Sequence, residues 1–323
     1  MTLAIERDLD ELRDGVERWL GRTVDRLERP APGWSCETVI VDGDLVIRLP
    51  PLGEGAFPVY DLAQQAAVQG AVAAAGVPVA TGLRYEPDPG YLGVAFVAMD
   101  FVSGAIPDQF TAADPWLAGL PDDAARRTVW TSFVDALASI NAAGFDGLGL
   151  RTGLDAELAW WTEYVEWAAD GSPPALLREV VAWCGANRPN GDAPDTLLWG
   201  DVRLGNVIFD PATCRPRAVL DWDMASVGPA EMDLAWFLGL EGLQAELTGM
   251  TVAGFGGRDE VIARAEERAG RPMRDLDWHE TFALARAAAV ATRLAVLFER
   301  AGQRSMFRIG EDPTLAAAAA RIG

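Results

Sequence analysis

Residues 197–237, LLWGDVRLGNVIFDPATCRPRAVLDWDMASVGPAEMDLAWF, constrain the fold more than any other part of this chain. The run at 206–209 is typical of a strand, and residues 211–214 are typical of a hairpin tip. Residues 217–220 then predict the returning strand, and an acidic turn leads into the start of a helix. The segment therefore predicts a β-hairpin between a polar loop and a helix.

Three polar side chains of this segment suit phosphoryl transfer. The hairpin brings Asn206 beside Asp221, with Asp201 just upstream on the loop. Mg²⁺ prefers oxygen ligands such as Asp and Asn, and an acceptor hydroxyl needs a carboxylate that orients it and takes its proton. An Asp-x₄-Asn loop followed by a strand-borne Asp is how protein-kinase-like enzymes divide these tasks.

An alternative interpretation is that these residues only fill turns, where Asp and Asn are common. It explains a single residue better than the group, because Asp201, Asp221 and Asp223 would crowd one apolar-walled site. Two like charges ~4 Å apart cost about 4 kcal/mol at an effective dielectric of ~20. A metal ion or an arginine would relieve that cost.

The same residues carry a family resemblance. Residues 199–237 resemble the catalytic segment of the aminoglycoside phosphotransferase and choline kinase superfamily. Here they read WGDVRLGNVIFD…AVLDWDMASVGPAEMDLAWF. The family's segment reads His-Gly-Asp…Gly-Asn, then a hairpin, then Leu-Asp-Trp-Glu and Gly-Asp-Pro-x-x-Asp-Leu-Ala. The resemblance implies that Asp201 is the catalytic base and that Asn206 and Asp221 are the metal ligands. The supporting residues it implies are Arg203, Asp223 and Asp233, the last as a helix carboxylate that buttresses the catalytic loop.

Three positions depart from the family pattern. Trp199 stands where the family has His, Asp223 replaces Glu, and Ala230 follows a Gly-Pro pair in place of Gly-Asp-Pro. The family's His is structural, so this change bears on the support of the loop more than on its chemistry. Asn141 likewise stands where a Leu-Ala-x-Leu-His segment has His, and we interpret it as structural.

The first hundred residues predict a small β-rich lobe. Two β-rich runs at 37–41 and 45–49 flank Asp42-Gly43-Asp44, which is a strong hairpin signal. Apolar spacing and helix-favouring residues predict helices in both halves of the chain. They span residues 4–20, 61–75, 124–142, 154–167, 173–186, 232–243, 260–269, 274–300 and 314–322.

By the resemblance, the first hairpin holds the nucleotide phosphates. Gly33 and Ser35 lie in the loop that would cover them, and Arg48 takes the place of the family's Lys, with a fork that suits phosphate oxygens. The superfamily pairs that cation with a helical Glu, and the matching residue is Gln65, which can bond Arg48 but cannot neutralise it. Asp61 is an alternative partner. Without the resemblance, Gly33 to Ser35 would be interpreted as an ordinary turn and Arg48 as a surface arginine.

Residues 91–102 predict a strand that leads into a connector, with Ser103-Gly104 as a break. The resemblance makes this connector the hinge, whose backbone would bind the adenine edge. The hinge residues are Met99, Asp100, Phe101 and Val102. We therefore expect an α+β, bilobal protein-kinase-like fold, with a nucleotide-binding lobe at 1–102, a hinge at about 99–103, and a catalytic and substrate lobe at 103–323.

Composition excludes several classes of protein. Acidic residues outnumber basic ones by 48 to 27, for a net charge of −21, and no basic cluster indicates nucleic-acid binding. Three cysteines without metal spacing favour a reducing, cytoplasmic location. The apolar run at 282–298 is interrupted by Arg286 and Arg293, so we expect a buried helix and no membrane span. The negative charge suits a cationic substrate or merely favours solubility.

Two features allow a functional and a structural interpretation. An aromatic stripe at 154–167 is typical of core packing, although Glu157, Glu163 and Glu166 beside it are suited to a cationic acceptor. His279 is the single histidine, which excludes a His-rich metal site, and we interpret it as structural.

The sequence thus predicts a phosphotransferase that uses Mg²⁺ with ATP or GTP and acts on the hydroxyl of a small molecule, such as an aminoglycoside-like amine. The C-terminal run from Gly249 to Arg286 resembles the branch related to kinase domains fused to acyl-CoA dehydrogenases. Alternatives are a pseudokinase without turnover and a kinase for a peptide or acyl-CoA hydroxyl. We expect a monomer or homodimer.

Overall fold

The first lobe is a five-stranded antiparallel sheet with two helices. The computed structural model describes residues 6–30, 35–190, 193–304 and 308–323. In spatial order the strands are β1 (Leu27–Glu28), β2 (Glu37–Val41), β3 (Leu45–Leu49), β5 (Phe96–Asp100) and β4 (Arg84–Glu86). The helices are α1 (Leu9–Leu20) and α2 (Leu62–Ala74).

The predicted hairpin of this lobe is confirmed. Thr38 pairs with Arg48 and Val41 with Leu45, around a turn in which Asp42 and Gly43 have positive φ. Alternate residues of both strands are buried, as expected for a sheet with one face on a core. That core includes Leu12 and Val16 of α1, which cover the sheet.

The second lobe is mostly helical, and each predicted helix is present in it. The helices are α3 (Pro115–Ala118), α4 (Asp123–Asn141), α5 (Leu154–Ala168), α6 (Ala175–Ala186), α7 (Glu231–Thr248), α8 (Arg258–Ala269), α9 (Leu276–Arg300) and α10 (Pro313–Ala320). Helix α7 runs five residues past its predicted end, because no breaker intervenes before Gly249, which adopts a left-handed conformation. The short α3 is capped by Asp114, whose side chain accepts from the backbone N–H of Leu117. The predicted α+β class is confirmed.

Two small sheets carry the segment at 197–237 that predicted a hairpin. Strands β7 (Val207–Phe209) and β8 (Pro216–Val219) form the predicted hairpin. Strands β6 (Asp195–Leu198) and β9 (Ser226–Pro229) pair on either side of it. The loop at 199–206 is therefore held between two antiparallel pairs.

Helix α9 lies at the centre of the second lobe, packed against α5, α6, α7 and α10. Among the described residues it is the one helix long and apolar enough to cross a membrane, by length and composition alone, and 89% of its most apolar stretch is buried inside the fold. This confirms the predicted buried helix. Its Arg286 and Arg293 are buried as well.

The two lobes meet where the chain leaves the first sheet. Ala105 and Phe209 exchange backbone hydrogen bonds of 2.9 and 2.7 Å, which attach the segment after β5 to the β7–β8 hairpin. A Cβ on Gly104 would lie 2.4 Å from the Phe209 carbonyl oxygen. Gly104 thus permits the close approach of the two segments.

We predict that Gly104→Ala lowers the free energy of unfolding by about 1–3 kcal/mol, the usual cost of inserting a methyl group where there is no room. Gly185→Ala in α6 is the matched control, because a Cβ there meets nothing within 4 Å. It should gain about 0.5–1 kcal/mol from helix propensity. Denaturant unfolding of both variants tests the contrast, and equal stabilities would contradict it.

Candidate active site

The hairpin brings the three predicted polar residues together. The backbone N–H of Leu220 donates to the carbonyl of Asn206 at 2.8 Å, so Asp221 follows directly beside it. The Asn206 amide nitrogen donates to the Asp201 carboxylate at 2.8 Å and to the Asp201 carbonyl at 3.0 Å. Asp221 has a φ of 63°, a left-handed conformation that Asp tolerates better than most residues. All three side chains line the cleft between the lobes.

Asp233, at the start of α7, supports the loop that carries Asp201. Its carboxylate accepts hydrogen bonds from the backbone N–H groups of Trp199 and Gly200, at 2.8 and 2.9 Å. Asn141 donates to the same carboxylate at 3.0 Å and to the Leu197 carbonyl at 2.9 Å. Burial raises the pKa of Asp233, and these donors oppose the rise. The side chain of Asn141 thus has the structural role that the sequence analysis expected.

Trp199 supports the loop through its indole ring. Its indole N–H donates to the carbonyls of Leu220 and Asp221, at 2.9 and 3.1 Å. The ring is buried and packs against Phe133 and Trp222. The catalytic loop is therefore bonded to the segment that carries the predicted metal ligand.

Gly200 occupies a position that only glycine fits. Its φ is +90°, and a Cβ there would lie 2.3 Å from the Met224 carbonyl oxygen. Beneath it, Arg286 donates to the Gly200 carbonyl at 3.4 Å and lies against the rings of Trp161 and Trp236. Sequence reasoning placed Arg286 in a core helix without anticipating this contact.

The side chain of Asp201 is partly exposed to the cleft, at 14% of its full area. Burial raises its pKa, and the charge of Arg203, whose guanidinium lies 2.9 Å from the carboxylate, opposes that rise. This arrangement keeps a carboxylate at the cleft surface within reach of a bound molecule.

On the first-lobe side, Arg48 faces the acidic turn. Its guanidinium lies 3.8 Å from the Asp221 carboxylate and 3.6 Å from that of Asp223. The family pattern had suggested that the Gln65 side chain bonds Arg48, but its amide nitrogen donates to Asp223 instead. Asp61 caps α2 by accepting from the Gln64 N–H, so it is not the substitute partner either.

Ser35 lines the same cleft and interacts with Asp223. Gly33, the other residue of the predicted phosphate-covering loop, lies outside the described residues. The Asp223 side chain is only 3% exposed, and burial together with the charge of Asp221 raises its pKa to about 6.

The donor set at the acidic turn fits a hard cation such as Mg²⁺. Because Asn206 donates through its nitrogen, its amide oxygen is left for a cation beside the carboxylate of Asp221. Within the described ranges, no three His, Cys, Asp or Glu side chains form a closed metal cage. Mg²⁺ is usually held by one or two carboxylates together with water and substrate phosphates, so Asn206 and Asp221 could serve as its protein ligands.

The predicted hinge residues lie at the end of β5. The N–H groups of Asp100 and Phe101 donate to the carbonyls of Thr81 and Asp44, both at 2.8 Å. Over the residues that the structure describes, no hydrogen bond engages the backbone of Val102. Val102 thus presents a backbone donor and acceptor, and Met99, Phe101 and Val102 line the cleft.

The cleft encloses a cavity of about 490 Å³ between the lobes. Beyond Asp201, its wall is mostly apolar and comes from α7 and α9. The main wall residues are Trp236, Phe237, Leu240, Ala287, Val290 and Leu294. Sequence reasoning missed this wall, although Trp236 and Phe237 directly follow the recognised Asp233 on α7.

The acidic side chains expected to meet a cationic acceptor lie elsewhere. Glu157 is buried and pairs with Arg151 at 2.8 Å, and Glu166 pairs with Arg178 at 2.6 Å. Neither residue, nor Glu163, lines the cavity. The aromatic stripe packs in the core, with Trp161 and Tyr164 fully buried, which confirms the packing interpretation.

His279 is also buried, on α9 against Trp278, and burial lowers its pKa to about 4. It does not line the cleft. Its position agrees with the structural interpretation.

Solved structures with the same architecture are phosphotransferases. A protein of Ralstonia eutropha JMP134, provisionally assigned as an aminoglycoside phosphotransferase, aligns with a TM-score of 0.67 at 21% identity over 95% of this chain and 94% of its own. The GDP and kanamycin complex of APH(2'')-IIIa aligns at 0.60, with 15% identity over 98% and 97%. Macrolide 2'-phosphotransferase MphH of Brachybacterium faecium aligns at 0.56, with 19% identity over 98% and 97%. These likenesses confirm the bilobal, kinase-like fold.

Among curated proteins, the chain is similar to part of acyl-CoA dehydrogenase family members. It is 30% identical to human member 11 over 198 residues, which are 59% of this chain and 24% of that protein. It is 30% identical to mouse member 10 over 203 residues, 61% of this chain and 18% of that protein. The chain thus spans a quarter or less of these relatives. The model of the phosphotransferase enzyme family, APH, matches residues 26–271, well over half of the sequence, so the chain belongs to this family and the predicted resemblance is confirmed.

Proposed function

We propose that the protein transfers the γ-phosphoryl group of Mg-ATP or Mg-GTP to a hydroxyl group of a small molecule. The observation that carries the proposal is the convergence of Asp201, Asn206 and Asp221 at one cleft, opposite Arg48. Phosphoryl transfer depends mostly on positioning and electrostatic stabilisation, and this site offers both.

Asp201 is the proposed catalytic base. Its carboxylate is partly exposed, and its bonds to Asn206 and Arg203 fix its orientation. It would accept a hydrogen bond from the acceptor hydroxyl and take its proton as the new ester bond forms. The Asp233 support keeps the backbone of the loop in place during that step.

Asn206 and Asp221 are the proposed metal ligands, with Asp223 in support. When bound, Mg²⁺ neutralises charge on the phosphate oxygens. Arg48 offers a second positive charge from the opposite lobe, and its fork suits phosphate oxygens. We assign the base of the nucleotide to the hinge, at the backbone of Val102, and the neighbour bound to GDP supports a purine nucleotide as co-substrate.

A pseudokinase is the main alternative, and the site argues against it. Three departures from the family pattern favour loss of turnover: Trp199, Asn141 and Gln65. Trp199 and Asn141 both make hydrogen bonds that support the proposed catalytic loop, and Gln65 donates to Asp223. Each residue of the proposed chemistry also lies in the cleft. The lobes at 1–102 and 103–323, with a hinge at 99–103, and a cytoplasmic monomer or homodimer stay predictions.

We further propose an acceptor with an uncharged body. The wall beyond Asp201 is mostly apolar along α7 and α9, and two further carboxyl groups that line the cavity, Glu241 and Asp312, are already hydrogen-bonded. Glu241 accepts from the Thr111 hydroxyl at 3.2 Å, and Asp312 accepts from the Thr314 N–H at 2.9 Å. Burial raises the pKa of Glu241. A polycation such as kanamycin would lose hydration there without gaining enough carboxylates. A neutral alcohol, including one on an acyl or peptide body, meets no such cost.

We predict that Asp201→Asn lowers turnover by about 10²–10⁴-fold, because the amide cannot accept the proton. Nucleotide affinity, measured by calorimetry, should stay within about twofold, since the base contacts the acceptor side. Glu179→Gln, an exposed carboxylate of α6, is the control and should match the wild type. Retained turnover in Asp201→Asn would exclude this residue as the base.

Asp221→Asn should abolish the metal dependence of nucleotide binding. We expect the wild type to bind ADP more tightly with Mg²⁺ than with EDTA, and the variant to bind equally in both, because it has lost the charged ligand. Calorimetric titrations under the two conditions measure the ratio. An unchanged Mg²⁺ effect in the variant would place the metal elsewhere.

The acceptor proposal is tested with a panel of alcohols in the presence of Mg-ATP and Mg-GTP, followed by mass spectrometry. We expect neutral alcohols with apolar bodies to gain a phosphoryl mass, and kanamycin to react at least about 100-fold more slowly. Val290→Glu should lower acceptor kcat/KM by about tenfold or more with nucleotide affinity unchanged, since a charge would enter the apolar wall. Preferred turnover of kanamycin by the wild type would overturn the proposal.

A further inference from the structure

Asp223 is a second-lobe carboxylate that contacts three separate segments of the first lobe. The Gln65 amide nitrogen of α2 donates to its Oδ1, and the Arg48 guanidinium of β3 lies 3.6 Å from its Oδ2. Ser35 interacts with it, and the Cys36 sulfur lies 4.0 Å from its Oδ1. We call these five residues the Asp223 cluster. They join the lobes at the inner end of the cleft.

The cluster differs from the pairing that the family pattern suggests. In that pattern a helical Glu pairs with the strand cation, whereas here the helix carries the neutral Gln65 and the hairpin supplies the acid. The two substitutions complement each other, because the amide N–H of Gln65 can donate to the buried carboxylate of Asp223, whereas an ionised carboxylate at position 65 could not. Arg48 remains free to face both Asp221 and Asp223.

We propose that Gln65 is a positioning residue that holds α2 against the catalytic hairpin through Asp223 and so keeps the lobes together before nucleotide binds. Breaking the bond would leave a carboxylate that is only 3% exposed with one hydrogen-bond partner fewer, which is costly. Helix α2 and the 220–224 turn should therefore loosen together. This inference does not rest on the proposed function, because it concerns the nucleotide-free protein.

Gln65→Glu gives the sharpest test. If Gln65 acts through Asp223, the new carboxylate faces an existing one in a buried place and the lobes separate. If the residue instead acts as the family's ion-pair partner of Arg48, the same substitution completes that pair and tightens the contact. The two interpretations predict opposite signs.

The experiment is amide hydrogen exchange of the full chain without nucleotide or metal, with thermal unfolding alongside. We expect exchange in both α2 and the 220–224 turn to be about tenfold faster or more in Gln65→Glu, and the melting temperature to fall. Ala67→Glu adds the same charge on an exposed position of the same helix and should match the wild type. Gln65→Ala, which removes the bond without adding charge, should show a smaller acceleration in the same two segments.

Equal or slower exchange in Gln65→Glu would overturn the proposal in favour of pairing with Arg48. Should Gln65→Glu fail to fold, Gln65→Ala decides, since exchange unchanged from the wild type in that variant also overturns it. Faster exchange confined to α2, with the turn unaffected, would show that Gln65 only stabilises its own helix and would likewise contradict the proposal.

Discussion

The site depends first on a buried carboxylate, Asp233, which accepts two consecutive backbone N–H groups of the catalytic loop. Removing a carboxylate from water is costly, and the cost is offset only where several donors converge on it. Here two peptide groups and the Asn141 amide do so, and the bonds satisfy both backbone N–H groups of the loop. The position of Asp201 therefore follows from a residue more than thirty positions downstream.

Trp199, Gln65 and Asp223 depart from the family pattern but are not left without partners, because each of these replacement side chains makes a hydrogen bond within the fold. Trp199 replaces a structural histidine, and its indole N–H bonds the carbonyls beside the predicted metal ligand. Gln65 and Asp223 each depart from a Glu and contact each other. A motif records residue types at positions, whereas the physical requirement is a satisfied donor or acceptor, which different side chains can meet.

Local patterns predicted much of the fold from the sequence. Alternation around Asp42-Gly43-Asp44 fixed the first hairpin, and helix periodicity fixed the long helices, because both signals reside in neighbouring residues. Pairing between distant segments, such as β6 with β9, carries no local signal and was not predicted. The partner of Gln65 was predicted incorrectly for the same reason, since its contact with Asp223 joins residues 158 positions apart.

The proposed neutral acceptor rests on the lining of the cleft and not on the overall composition. A net charge of −21 suggested attraction for a cation, yet charge acts on a ligand only where it is unpaired and close. Glu157 and Glu166 are neutralised by arginines outside the cavity, whereas α7 and α9 line it with apolar side chains. Near the predicted phosphates, Arg48 and Arg203 offset part of the negative charge of the acidic turn and the proposed base. The lining of the cleft, not the overall charge, therefore decides which acceptor can be desolvated there.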